Sequence, residues 1–229
     1  MNKFEQEQNK IRKKIWSYIP GKGTVIDVGI GENATSAKTF VDKGAYVIAV
    51  DNNIDALQKH TDINATLVCC DVAAMPFKSL TADVTLFYYM LHEVNPEFHV
   101  YILSQTADIS FSAAIVEPGL GDTPGQKYYQ HLWQNAMESV GKFEHYQPLE
   151  YWEGLVKTAG FTEVVSQRIP HHTYVPLEVK EDMVNFTIEW FKDEGVPDTY
   201  IEEASNLMDY FPEDMILPDT QVIVGKSNK

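Results

Sequence analysis

Val25-Ile26-Asp27-Val28-Gly29-Ile30-Gly31-Glu32-Asn33-Ala34 decides the fold of this chain. The apolar run reads as a buried strand that ends in a glycine turn and then opens a helix. Glycine supplies positive φ and lets a ligand approach the backbone closely. The helix that follows offers unpaired N–H groups and a positive dipole end. Such a turn suits a small, polar, adenosine-like cofactor. Gly29-x-Gly31-x-x-Ala34 fits the dinucleotide fingerprint. Asp51 closes the next strand 22 residues after Gly29, where a carboxylate can take hydrogen bonds from ribose hydroxyls.

Outward from this turn, short apolar runs alternate with helical ones. Strands are expected at Thr24–Val28, Tyr46–Val50, Thr66–Cys70, Val84–Tyr88, Ala113–Glu117, Glu163–Ile169 and Thr220–Gly225. Helices are expected over Lys3–Ile19, Ser36–Lys43, Ile54–His60, Glu97–Ile109, Gln126–Val140 and Leu149–Ala159. The alternation predicts an α/β, Rossmann-like doubly wound sheet whose strands are covered on both faces. Two amphipathic helices follow the sixth strand. One carries the stripe Val179, Met183, Phe186 and Trp190, the other Ile201, Ala204, Met208 and Phe211. They predict one domain over residues 1–229, with an N-terminal helix over 1–20 and a helical insertion or lid over 177–212.

The bulk composition excludes several function classes. The 18 basic and 33 acidic residues leave a net charge of -15. That argues against nucleic-acid backbones, whose binding needs clustered Lys and Arg, and against docking on anionic membranes. The first residues lack the apolar core of a secretory signal. The two cysteines, Cys69 and Cys70, are adjacent and cannot form an ordinary disulfide. A reduced, cytoplasmic setting is the expectation.

Asp27 separates the cofactor alternatives. A carboxylate near the buried end of a central strand is costly unless a cation or donors meet it. A pyrophosphate would repel it, whereas the α-ammonium of a methionyl tail would pair with it. Asp71 closes the third strand, where an acid can accept from an adenine amino group. Three acids thus share the sheet's carboxyl edge, where open α/β sheets bind ligands.

On these residues the chain resembles the class I S-adenosylmethionine (SAM)-dependent methyltransferases, in particular the small-molecule enzymes of the ubiquinone/menaquinone type. Val25 to Asn33 resembles their first motif, Ala49-Val50-Asp51 their ribose-binding acid, and Cys70-Asp71-Val72 their adenine-binding segment. Ala82 to Val94 is similar to their fourth strand and the "LHE" element after it. Ile115 to Gly119 is similar to their fifth strand, and Ala159-Gly160-Phe161 precedes the sixth. The resemblance covers about residues 20–170. It implies a seven-stranded sheet with the last strand antiparallel, SAM as cofactor, and Asp27, Gly29, Gly31, Asp51, Asn52, Asp71, Val72 and the backbone around Phe87 and Tyr88 as cofactor contacts. Asn33 replaces the family's third glycine; because Asn tolerates left-handed backbone angles, it is expected to hold the turn.

The absence of Asn-Pro-Pro-Tyr or Asp-Pro-Pro-Tyr after the fourth strand speaks against methylation of nucleic-acid bases, so a small-molecule acceptor is expected. Candidate proton acceptors are His92, Glu93, Glu117, His131 and His145; the resemblance places His92 close to the substrate, and Glu117, at the end of the fifth strand, is a base, a substrate anchor or a paired core acid. His171-His172 and Cys69-Cys70 lack ligand spacing, and no metal is expected. Two alternatives stay open: an NAD(P)-dependent oxidoreductase, which leaves Asp27 and Asp71 without a role, and a SAM-binding module without catalysis.

Overall fold

The computed structural model describes residues 1–227. Seven strands form one sheet: β1 (Thr24–Val28), β2 (Tyr46–Asp51), β3 (Ala65–Cys69), β4 (Ala82–Tyr88), β5 (Ser110–Pro118), β6 (Glu163–Ile169) and β7 (Thr220–Lys226). Their order is β3-β2-β1-β4-β5-β7-β6. β1 to β5 pair in parallel, and β7 runs antiparallel to both β5 and β6. The expected doubly wound sheet with an antiparallel last strand is the one observed. The order reverses between β1 and β4, which places the switch point directly above the glycine turn.

Each face of the sheet is covered, as its apolar strands require. Ile26, Val28, Ile48 and Val50 point toward α4 (Pro96–Ile109) and α6 (Leu149–Thr158), whose Trp152 is fully buried. Val25, Val47 and Ala49 point the other way, toward α1 (Lys3–Tyr18), α2 (Thr35–Asp42) and α3 (Ile54–Gln58). The outer strands depart from the all-apolar expectation. β3 has no fully buried residue and β6 alternates, because each pairs on one side only.

A third cluster lies beyond these two layers. It joins Phe4 to α5 (Pro124–Ser139), α7 (Leu177–Asp193) and α8 (Asp198–Ser205). α7 and α8 fall between β6 and β7, as the amphipathic stripes predict, but the phase of α7 differs. Its buried residues are Lys180, Val184, Thr187 and Phe191. Lys180 is tolerated there because its Nζ donates to the carbonyls of Pro212 and Glu213, the latter at 3.2 Å. The expected stripe instead borders a cavity, described below. The second amphipathic stretch breaks at Asn206: α8 ends at Ser205 and a 3₁₀ turn, Leu207–Tyr210, carries Met208.

Candidate functional site

The glycine turn sits at the carboxyl end of β1. Gly29 adopts φ 78° and its N–H donates to the Val50 carbonyl at 2.8 Å, which ties the turn to β2. Gly31 adopts φ 61°, and a side chain placed there would meet nothing within 4 Å. The left-handed position expected at Asn33 falls instead on Ala34, at φ 46°. Ala34 is the N-cap of α2 and makes no side-chain cap.

Asp51 is positioned by that turn. Its Oδ2 accepts from the Ile30 N–H at 3.1 Å and its Oδ1 from the Asn53 N–H at 2.9 Å. Each carboxylate oxygen keeps a lone pair for a further donor. Asp51 lines a cleft of about 170 Å³ together with Gly29, Asn52, Cys70 and Val72. Asp71 lies outside that lining, where it caps a 3₁₀ turn by accepting from the Ala73 N–H at 2.8 Å.

Asp27 lies under the turn, with no exposed surface. Its Oδ2 accepts from the Ser36 hydroxyl at 2.8 Å, and the Ala37 N–H at the start of α2 also faces the carboxylate. The Oδ1 has no partner. Burial outweighs these hydrogen bonds and pushes the carboxyl up to about 7. The Phe87 side chain is fully buried and the Tyr88 ring stacks on Trp16 with centroids 4.9 Å apart, so neither side chain lines the cleft and only their backbone is left to face a cofactor. Met90, Glu93 and Val94 occupy that side instead. A Cβ on Gly29 would come within 2.7 Å of the Met90 Cγ, so the turn can pass only as glycine. Asp51 keeps free lone pairs in this cleft, whereas Asp27 and Gly31 lie outside its lining, Asp27 beneath the turn and Gly31 beside open space.

A second group of residues adjoins the cleft. Glu117 is buried at the end of β5; its Oε1 accepts from the N–H groups of Met90 and Leu91 at 3.1 and 2.7 Å. Its Oε2 accepts from His92 Nδ1 at 2.5 Å. The His92 Nε2 therefore faces outward, 3.6 Å from Glu144 Oε1 and 3.9 Å from Glu93 Oε1. Burial alone would lower the imidazole, but the charges of Glu117, Glu144 and Glu93 and the Glu117 hydrogen bond lift it to about 10. Burial raises the Glu144 carboxyl, opposed by His92 and by the Tyr146 hydroxyl that donates to it.

The structure thus joins His92, Glu93 and Glu117 and adds Glu144 and Tyr146, which sequence reasoning missed. Both lie in the irregular stretch after α5, with no motif to mark them. His92, Glu93 and Glu144 also place ligand atoms within 4.8 Å of one another, a grouping invisible in the sequence spacing. His131 is exposed on α5, and His145 is drawn to Glu138 at 3.3 Å. Around the His92 cluster lies a cavity of about 320 Å³, lined by Tyr89, Tyr129, Tyr146, Met183 and Met215 among others. A neighbouring lobe of about 220 Å³ adds Trp133, Phe186 and Trp190. Met183, Phe186 and Trp190 belong to the apolar stripe that the sequence shows on the first helix of the insertion.

Residues 26–103 match the methyltransferase domain family. No curated protein sequence matches the chain. Among solved structures, the YcgJ protein of Bacillus subtilis is similar at 12% identity and a TM-score of 0.65, covering 97% of this chain and 99% of its own. A SAM-dependent methyltransferase of Archaeoglobus fulgidus reaches 16% identity and a TM-score of 0.58, covering 99% and 95%. Phosphoethanolamine N-methyltransferase 2 of Haemonchus contortus, in complex with SAM, reaches 14% identity and 0.59, covering 99% of this chain and 53% of that one. At these identities the structural likeness concerns the fold. No helix among the described residues is long and apolar enough to cross a membrane.

Proposed function

We propose that this chain, whose residues 26–103 match the methyltransferase domain family and which has the fold of the class I SAM-dependent methyltransferases, transfers a methyl group from SAM to a small molecule. Bound SAM supplies an electrophilic methyl on a sulfonium; alignment of the acceptor falls to the protein. Asp51 takes the ribose hydroxyls on its two remaining lone pairs. Val72 and Cys70 flank the adenine. The orphaned Asp27 oxygen, beneath the glycine turn, answers the α-ammonium through the backbone or a water. The observation that carries the reading is Glu93, which lines both the Asp51 cleft and the His92 cavity and so puts the two side by side.

His92 and Glu117 act as a unit in this reading. Glu117, held by two backbone N–H groups, orients the ring and keeps it protonated. A charged imidazolium donates a hydrogen bond and does not accept a proton, so proton removal falls to Glu144 or Glu93. The family match leaves no support for the oxidoreductase alternative. Incubation with methyl-labelled SAM and a panel of phenols, thiols, carboxylic acids and amines is the test, with tRNA, DNA and protein as controls. Label in a small molecule supports the reading. Label confined to a macromolecule, or bound SAM with no label transferred, overturns it.

A further inference from the structure

Resting on that reading, we infer that the acceptor is an organic cation, an amine bearing no phosphate, held as its ammonium in a box of aromatic rings and carboxylates. The rings come from three separated elements: Tyr129 and Trp133 on α5, Tyr146 in the loop after it, and Phe186 and Trp190 on α7. Trp133, Phe186 and Trp190 form a triangle with centroid separations of 6.2, 6.4 and 5.7 Å. Tyr129 closes on Trp133 at 6.3 Å. Ring faces carry negative quadrupoles and attract cations, most strongly where water is excluded.

The charge count points the same way. Around the single cation of His92 stand three carboxylates, Glu117, Glu144 and Glu93. Glu117 already accepts from two backbone N–H groups and the imidazole. Glu144 has only the Tyr146 hydroxyl and a distant imidazole, and Glu93 has only His92 at 3.9 Å. Among the described residues, no Lys or Arg lines either lobe of the cavity. Lys142 lines an adjoining cavity with Glu93, Glu144, Trp133 and Trp190, and its ammonium is paired with Glu194. Two carboxylates that lack a close cationic partner at a partly buried site favour a guest that brings positive charge, and they disfavour a phosphate. Half-exposed Phe186, 49% accessible, marks the open end through which the guest enters.

The transfer then balances as follows. The acceptor ammonium gives one proton to the Glu144 carboxylate. Its nitrogen lone pair forms the N–C bond to the methyl, and the C–S bonding pair stays on sulfur. The products are S-adenosylhomocysteine and a methylated ammonium, with the proton returned from Glu144 to water.

Calorimetry on the full chain saturated with S-adenosylhomocysteine separates the possibilities. The probes are choline, its neutral isostere 3,3-dimethylbutan-1-ol, phosphocholine and Mn²⁺. Choline is expected to bind at least tenfold more tightly than the neutral isostere and than phosphocholine. That preference is expected to fall at least tenfold in Glu144→Gln and to weaken in Phe186→Leu, which keeps bulk but removes the ring at a half-exposed position. Equal binding of choline and the alcohol overturns the inference, as does tighter binding of phosphocholine. Stoichiometric Mn²⁺ that displaces choline and is lost in Glu144→Gln overturns it in favour of a metal. SAM titrated into the ligand-free protein distinguishes the two levels. SAM binding without choline preference removes only the cationic acceptor, whereas absent SAM binding removes the methyltransferase reading beneath it.

Discussion

Replacing Asp27 with Asn is expected to stabilise the free protein at pH 8 while weakening its hold on SAM. Asp27 has no exposed surface, one oxygen on Ser36 and one oxygen with no partner. Its carboxyl sits at about 7 against an ordinary 3.8. The folded state therefore binds this proton more tightly than the unfolded chain. Stability is greatest below pH 3.8 on this account and falls as pH rises toward 7. About three pH units at ~1.4 kcal/mol each give a loss of roughly 4 kcal/mol by pH 8. Asparagine removes that cost but buries an amide without an acceptor, worth ~1–3 kcal/mol. The net gain is roughly 1–3 kcal/mol at pH 8. Urea denaturation of both proteins at pH 5, 6, 7 and 8 measures it, with the wild-type midpoint falling across the series and the variant's staying level. Parallel pH profiles would refute the buried-charge argument. A variant that gains stability yet binds SAM as the wild type does would refute the pairing with the cofactor's ammonium.

Three further outcomes follow from the same geometry. Gly29→Val places a Cβ against Met90 at φ 78°, at a cost of ~1–3 kcal/mol of strain; thermal melts should drop and SAM should cease to shift them. His92→Ala is expected to lower kcat at least tenfold with SAM affinity unchanged, read by single-turnover kinetics, because His92 borders the acceptor cavity and not the Asp51 cleft. The same residue predicts an alkaline limit. Its folded value near 10 lies above the ordinary 6.5, so its contribution to stability is full below pH 6.5 and is lost as pH rises through 10. His92→Gln should flatten that part of the stability profile, and an unchanged alkaline limb counts against the imidazolium.

The sheet was legible because its strands are short apolar runs punctuated by glycine and proline, and because the central parallel strands carry only a few polar positions, such as Asp27 and Thr85. The glycine turn was legible for a local reason, since its backbone angles are set within the motif, and Asp51 was legible from its spacing, at the end of the strand that pairs in parallel with β1. The phase of α7 was not. Its two adjacent stripes, Val179/Met183/Phe186/Trp190 and Lys180/Val184/Thr187/Phe191, are one residue apart, and the second contains a lysine that only the Pro212 and Glu213 carbonyls make compatible with burial. Hydropathy chose the apolar stripe, and the fold used it to line the cavity. Glu144 and Tyr146 were illegible because their partner, His92, lies some fifty residues earlier and approaches only through tertiary packing. Ala34 in a left-handed conformation was missed for the opposite reason: Asn33 beside it is the better-suited residue by propensity alone.

The account rests on Asp51 as the anchor of the cofactor. Titration of SAM into the wild-type chain and into Asp51→Ala, followed by isothermal calorimetry, tests it most directly. One SAM per chain is expected in the wild type, with affinity reduced at least a hundredfold in the variant, about 3 kcal/mol, as befits the loss of charge-assisted hydrogen bonds. No binding by the wild type, or equal affinities in the two proteins, would contradict the account.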